Sequence, residues 1–253
     1  MWDVTDLTHD AFLGGKVHLW QPRKGYRAGV DPVLLAAAVP ARSGDTVLDL
    51  GCGAGAAGLC LAARVVGVTV TGVEVQGDYA ALARRNAAES GLPLTVVETD
   101  LRTLPEPIRH QQFTHVMMNP PYFAREDGTA AKDPGRDLAF GGDTLLADWL
   151  DVGIRRLAPK GHLTLIQRME RLPEVLRALD GRLGSVVLRP IAGRAGKPPG
   201  RFLLRAIHSG RAPFVMAPPL IMHDGAAHDG DRESYSAQIS QVLRGGAKLD
   251  IAL

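Results

Sequence analysis

The sequence has little cysteine and no long apolar run, and both features limit its function. Its two cysteines, Cys52 and Cys60, are separated by seven residues, so we expect neither a disulfide framework nor a zinc site of the C-x-x-C type. No stretch reaches the roughly 18 apolar residues that a membrane-spanning helix needs. Near the N-terminus, Asp3, Asp6 and Asp10 interrupt the basic and then apolar pattern of a targeting segment. We therefore expect a cytoplasmic protein.

Clusters of metal-ligating side chains are also lacking. The eight histidines are scattered along the chain, and we predict no metal site and no catalytic histidine. With 253 residues, of which 45% are hydrophobic and 22% charged, the composition is that of an ordinary α/β protein. We expect a single domain spanning residues 1–253, with an N-terminal extension of about residues 1–40 that contributes to the substrate side.

Apolar segments of strand length alternate with helical segments from residue 46 onward. The expected strands are 46–50, 68–75, 94–99, 113–118, 162–167, 184–189 and 201–208, and the expected helices are 56–65, 77–90, 144–157, 171–180 and 232–244. This alternation predicts an α/β fold with a doubly wound, mostly parallel seven-stranded sheet and helices on both faces. Ligands bind such a sheet at the carboxyl ends of its strands.

Three regions outside this alternation have their own signals. Residues 1–27 show no clear period, while 32–39 is typical of a short helix with Asp31 as its cap and Pro32 in its first turn. The proline- and glycine-rich stretch from Pro190 to Gly200 predicts a long mobile loop.

The tetrad Asn119, Pro120, Pro121 and Tyr122 directly follows the expected strand 113–118. The amide oxygen of Asn119 and the carbonyl of Pro120 can both accept from one NH2 group, because the paired prolines restrict the backbone at that turn. Tyr122 can stack on a ring that carries the amine. A Pro-Pro loop with a capping asparagine has the same sequence, so the tetrad alone is ambiguous.

A glycine-rich turn follows the first expected strand, with Gly51, Gly53, Gly55 and Gly58. Glycines without Cβ atoms let backbone N–H groups approach a ligand at the mouth of a parallel sheet. Because Gly53-x-Gly55-x-x-Gly58 also satisfies the dinucleotide fingerprint, these glycines do not choose between a nicotinamide cofactor and another adenosine-containing one.

Three acids lie at or just beyond the ends of successive strands. Asp49 precedes the glycines, Glu74 lies about 20 residues beyond them and Asp100 follows the third strand. An acid in the position of Glu74 can bind both hydroxyls of a ribose. A nicotinamide enzyme would use this acid as well, so the discriminating features are Asp49, Asp100 and the tetrad.

This ordered set resembles the class I S-adenosylmethionine-dependent methyltransferases, which have a Rossmann-like fold, over roughly residues 28–208. The tetrad narrows the resemblance to enzymes that methylate amino groups of nucleic acids or of protein glutamines. The stretch Tyr26–Leu35 and the tetrad look like the bacterial tRNA(Val) adenine-N6-methyltransferase group, although this chain has Gly-Val-Asp-Pro at 29–32 where that group is expected to have Gly-Thr-Asp-Gly.

The resemblance implies a role for each motif residue and S-adenosyl-L-methionine as cofactor. Asp49, Gly51, Gly53 and Gly55 would hold the methionine part, Glu74 the ribose and Asp100 the amine of the cofactor's adenine, while Asn119, Pro120 and Tyr122 would be catalytic. It also implies that one of the last two strands is antiparallel.

Two stretches of the chain contain basic residues but no acidic ones. The segment from Gly181 to His223 contains Arg182, Arg189, Arg194, Lys197, Arg201, Arg205 and Arg211, and the segment from Ala11 to Val30 contains Lys16, Arg23, Lys24 and Arg27. We interpret them as a phosphate-binding rim around the cleft. The expected substrate contacts are Arg23, Lys24, Arg27, Asp31, Lys197 and Arg201, and the expected partner is nucleic acid, with tRNA favoured. The sequence does not distinguish a monomer from a homodimer.

Further hypotheses remain beside this one. A protein glutamine methyltransferase would present the same NH2 geometry to the tetrad. A nicotinamide oxidoreductase, or a cofactor-binding module without activity, would leave the tetrad without a purpose. In the preferred interpretation, the polar segment 123–142 can close over a flipped base.

Overall fold

The computed structural model describes residues 2–122, 144–225 and 234–252. Its strands are β1 (Leu7–Phe12), β2 (Val17–Pro22), β3 (Thr46–Leu50), β4 (Thr69–Glu74), β5 (Leu94–Glu98), β6 (Phe113–Met118), β7 (Leu157–Arg168), β8 (Leu183–Ala192), β9 (Pro199–His208), β10 (Val215–Met216) and β11 (Leu220–Ile221). Its α-helices are α1 (Val30–Ala38), α2 (Ala56–Arg64), α3 (Gly77–Ser90), α4 (Glu106–His110), α5 (Leu146–Arg156), α6 (Leu172–Ala178) and α7 (Ala237–Ser240), and a π-helical turn (Gln241–Gly245) follows α7.

Strands β3 to β11 form a nine-stranded sheet in the order β10–β8–β9–β7–β6–β3–β4–β5, with β11 also pairing with β8. Five neighbouring strands are mutually parallel, namely β7, β6, β3, β4 and β5. Strand β9 is antiparallel to both β7 and β8. The predicted doubly wound, mostly parallel sheet is therefore confirmed, together with the antiparallel strand. The seven predicted strands are the long ones, and the two-residue strands β10 and β11 add to them.

Two apolar cores cover the two faces of this sheet. Neighbouring residues alternate between the cores: Val47 and Met117 belong to the core under α1, α2 and α3, whereas Leu48 and Met118 belong to the core under α4, α5 and α6. Strands buried on both faces require continuous apolar runs, which explains why the sequence identifies them readily. Among the described residues, no helix is long and apolar enough to cross a membrane.

The N-terminal residues form an antiparallel hairpin of β1 and β2, in which Leu7 pairs with Pro22. Sequence periodicity does not reveal this element. The fully buried Asn86 of α3 fastens the hairpin to the domain: its Oδ1 accepts from Trp20 N at 2.8 Å, and its Nδ2 donates to the carbonyls of Trp20 at 3.1 Å and Ala54 at 2.9 Å.

The prediction of a long mobile loop over 190–200 is wrong. Strand β8 continues to Ala192 and β9 starts at Pro199, and Pro190 is paired with Phe202 within the sheet. The connection is therefore confined to 193–198. The expected start of the last helix, after Asp231, lies outside the described residues, and α7 begins at Ala237.

Candidate active site

The parallel strands bring the sequence signals to one edge of the sheet. Leu50 at the end of β3 pairs with Val73 of β4 and with Met118 of β6. The glycine turn, Glu74 and the tetrad therefore lie at or just beyond strand ends at the same level of the sheet. A cavity at this edge is lined by residues that include Tyr26, Asp49, Gly51 and Asn119. Asn119 of the tetrad and Gly51 of the glycine turn therefore face a common space.

Asn119 offers this cavity an unused hydrogen-bond acceptor. Its Nδ2 donates to the hydroxyl oxygen of Tyr26 at 3.3 Å, while its Oδ1 is buried and has no partner among the described residues. A buried polar atom without a partner is costly, which marks this oxygen as a group that a ligand could satisfy.

The Pro120 carbonyl already accepts one hydrogen bond. Gln167 of β7, which is fully buried, donates its Nε2 to this carbonyl at 3.2 Å. A carbonyl oxygen has two lone pairs, so the second remains available. The sequence gives no local signal for Gln167, because the contact spans 47 residues of chain.

Tyr122 is bonded to the N-terminal part of the domain. Its hydroxyl donates to one carboxylate oxygen of Asp31, and Arg201 of β9 donates to the other. Burial, reinforced by the Asp31 charge, raises the pKa of Tyr122 well above its usual value. The expected capping role of Asp31 is wrong, since Gly29 occupies the cap position of α1. The Arg168 guanidinium lies 5.7 Å from the centroid of the Tyr122 ring.

Asp49 is a buried carboxyl with an unsatisfied oxygen. The side chain is 2% exposed and its Oδ2 has no partner among the described residues. Burial raises the pKa of Asp49 to about 8, a backbone hydrogen bond from Gly58 opposes the shift, and the charge of Glu74 adds to it.

Glu74 fixes the glycine turn. Its Oε2 accepts from Gly53 N and its Oε1 from Gln76 N, both at 2.9 Å. Burial raises its pKa, and these backbone hydrogen bonds limit the shift.

The turn itself requires glycine at its first position. Gly51 has a φ of +68°, and a Cβ there would lie 2.4 Å from the Trp149 ring. Gly53 and Gly55 also have positive φ, and the ring of Tyr26 lies 3.7 Å from where a Gly53 Cβ would be. All three positions therefore have a backbone conformation that favours glycine.

Asp100 is already paired. Its carboxylate accepts from the Arg102 guanidinium at 2.6 Å and 3.1 Å, and its pKa is lowered by these side-chain hydrogen bonds. A ligand amine at this carboxylate would share it with Arg102.

The expected substrate contacts separate into three groups. Asp31 and Arg201 lie at the tetrad. Arg27 instead bonds to Asp10 at 2.7 Å, and Arg23 to the carbonyl of Thr5 at 3.0 Å. The side chains of Lys24 and Lys197 are exposed.

The acid-free stretch from residue 181 to 223 is compensated in space by acids from other segments. Arg182 pairs with Asp151 and Asp180, Arg201 with Asp31, and Arg205 lies 4.0 Å from Asp250. Arg189 is buried and donates to the carbonyl of Asp250. The charge on this stretch is therefore less available than the sequence indicates. The predicted closing segment, 123–142, lies outside the described residues.

Known proteins resemble this chain in sequence. The model of the methyltransferase small domain family matches residues 28–181. A relative from Aeromonas hydrophila, named tRNA1(Val) (adenine(37)-N6)-methyltransferase, is 32% identical over 78% of this chain and 83% of its own. A relative of the same name from Bacteroides fragilis is 29% identical over 77% of each chain.

Solved structures show the same fold. A predicted O-methyltransferase from Agrobacterium tumefaciens superposes with a TM-score of 0.70 at 29% identity, covering 88% of this chain and all of that one. A methyltransferase from Pyrococcus furiosus gives a TM-score of 0.55 at 20% identity, over 77% of this chain and 90% of that one.

Proposed function

Because the chain belongs to the methyltransferase small domain family and is an S-adenosylmethionine-dependent methyltransferase, we propose that it methylates the exocyclic N6 amine of an adenine in tRNA. The observation that carries this proposal is the buried, unpartnered Oδ1 of Asn119 beside the cavity. The names of the relatives from Aeromonas and Bacteroides support the choice of base and of nucleic acid.

The tetrad supplies what an amine acceptor needs. The lone pair of an adenine amine is delocalised into the ring, which makes the nitrogen a poor nucleophile. Asn119 Oδ1 and the free lone pair of the Pro120 carbonyl would accept its two hydrogens, hold the nitrogen in line and restore electron density to it. Tyr122 would stack on the base.

The residues at the carboxyl edge of the parallel strands fit S-adenosylmethionine. Asp49 with its unsatisfied oxygen, and the turn of Gly51, Gly53 and Gly55, would hold the methionine part; Glu74 would bind the ribose and Asp100 the adenine amine. When bound, S-adenosylmethionine supplies an electrophilic methyl carbon on a sulfonium. The structural support is the cavity lined by Gly51 and Asp49 and the orphaned Oδ2 of Asp49.

The first 40 or so residues would complete the substrate side of a single domain. Tyr26 contacts the amide of Asn119, and Asp31 contacts the hydroxyl of Tyr122. Arg27 is already paired with Asp10. We assign Asp31 and Arg201 to holding the tetrad, and Arg23, Lys24 and Lys197 to phosphate contacts. Contacts of the latter kind would make tRNA binding steeply dependent on salt. Such a reaction would take place in the cytoplasm, where tRNA is modified.

The acceptor can be tested with cofactor that carries a labelled methyl group. Incubated with unmodified total tRNA, ribosomal RNA and a protein extract, the enzyme is expected to label tRNA, and nuclease digestion should release the label as N6-methyladenosine. A glutamine carboxamide offers the same NH2 geometry, so label found only in protein would overturn the assignment.

Substitution Glu74→Gln is expected to weaken cofactor binding about 5- to 150-fold, corresponding to roughly 1–3 kcal/mol for a buried polar group left badly paired. The change affects both the bond from Gly53 N and the proposed ribose contact. Glu98→Gln is a matched control, because Glu98 lies beside Glu74 on β5 but is exposed. Equal affinity of the parent and the Glu74 variant, measured by calorimetry, would contradict this role.

A further inference from the structure

The carbonyl groups of Pro120 and Pro121, just beyond the end of β6, require hydrogen-bond donors. Donors from the end of β7 and just beyond it meet the requirement: Gln167 Nε2 lies 3.2 Å from the Pro120 carbonyl and 3.4 Å from that of Pro121, and Arg171 Nη1 lies 3.5 Å from the Pro121 carbonyl.

The amide of Gln167 can face the tetrad in one orientation only. Its Oε1 accepts from the backbone N–H of Arg168 at 2.8 Å, so its NH2 group is left for the tetrad. A flipped amide would place Oε1 against two carbonyl oxygens and the NH2 group against a backbone donor. The backbone of β7 therefore dictates that Gln167 donates, and the side chain is fully buried.

We propose that Gln167 is a positioning residue that sets the direction of the Pro120 carbonyl and, through it, the alignment of the acceptor amine. This inference rests on the proposed function, because it assigns the second acceptor of the amine to Pro120. Gln167 occupies one lone pair of that carbonyl and leaves the other for the substrate. It does not touch the reacting atoms itself.

Two variants of nearly the same size test the role. Gln167→Glu replaces the donor by an acceptor, and Gln167→Met removes hydrogen bonding at similar length. Each is expected to lower kcat about 10- to 100-fold, since displacement of a reacting group by about 1 Å can cost 10²-fold. The Kd for S-adenosylmethionine should stay within about twofold, because the side chain of Gln167 bonds to the backbone of Pro120, Pro121 and Arg168 rather than to the residues proposed to hold the cofactor.

Thr164→Val is the matched control on the same strand. Thr164 is fully buried, and its hydroxyl has no partner among the described residues, so this variant should keep the parent kcat. An unchanged kcat in both Gln167 variants would overturn the proposal. A parallel loss of kcat, cofactor affinity and thermal stability would also overturn it, as it would indicate a merely structural role. If Asn119→Ala also retained activity, the proposed function itself would fail.

Discussion

The Asn119→Ala variant is expected to transfer methyl groups about 10²–10³-fold more slowly than the parent enzyme, which is the usual cost of removing one preorganised electrostatic contact at a reacting group. The parent places a buried, unpartnered amide oxygen at the cavity, and the variant leaves the acceptor amine with the Pro120 carbonyl alone. Cofactor affinity should stay near that of the parent. Single-turnover rates with saturating tRNA, together with calorimetry for the cofactor, measure the two effects separately.

The chain offers a contrast in its only other asparagine, Asn86. The amide of Asn86 is fully bonded to the backbone of the hairpin and of the glycine turn. Asn86→Ala should therefore lower the free energy of unfolding by about 1–3 kcal/mol, since it leaves buried backbone groups unpaired. Asn119→Ala removes an oxygen that is unpaired among the described residues and one long hydrogen bond, from Nδ2 to the Tyr26 hydroxyl at 3.3 Å, so it should cost less stability than Asn86→Ala. Methyl transfer by Asn119→Ala at the parent rate would refute the assigned role.

The residues that the sequence singles out come together in space because each of them lies at or just beyond the end of a strand of a parallel sheet. Asp49, Glu74, Asp100 and Asn119 are distant in the chain, but the strand order brings the four strand ends to one edge. The supporting contacts could not be found in this way. Gln167 reaches Pro120 only through the pairing of β7 with β6, a property of the folded sheet that has no local pattern.

The fold and the charges also divide into features that a local sequence pattern predicts and features that depend on contacts between distant segments. The strands β3 and β6, which are buried on both faces, are mostly apolar, whereas β1 and β2 have exposed or half-buried positions between their buried ones and give no such run. The stretch 181–223 lacks acids in the sequence, yet Asp31, Asp151 and Asp250 approach its arginines in space. Local charge patterns do not reveal pairing between distant segments.

Affinity for S-adenosylmethionine should rise with pH up to about 8, and Asp49 should be the group responsible. In the free protein, burial holds the pKa of this carboxyl at about 8, so at pH 7 most molecules carry it protonated. The cofactor brings positive charge to a site where Asp49 Oδ2 has no partner among the described residues, and ionisation of the carboxyl would then be favoured. Binding at pH 7 should release about one proton.

The proton release is measured by calorimetry at pH 7 in buffers with different ionisation enthalpies. Asp49→Asn should abolish the release, flatten the pH dependence and weaken binding by roughly 2–5 kcal/mol, the usual cost of truncating one partner of a buried charge pair. Glu98→Gln should retain all three properties.

The raised pKa of Asp49 also affects stability. Unfolded Asp49 ionises near 3.8 and folded Asp49 near 8, so this carboxyl should make the free energy of unfolding fall as pH rises between these values. Because an asparagine side chain cannot ionise, the Asp49→Asn variant should lack that contribution to the pH dependence of stability. In the binding experiment, equal proton release by the parent and the Asp49→Asn variant would assign the proton to another group.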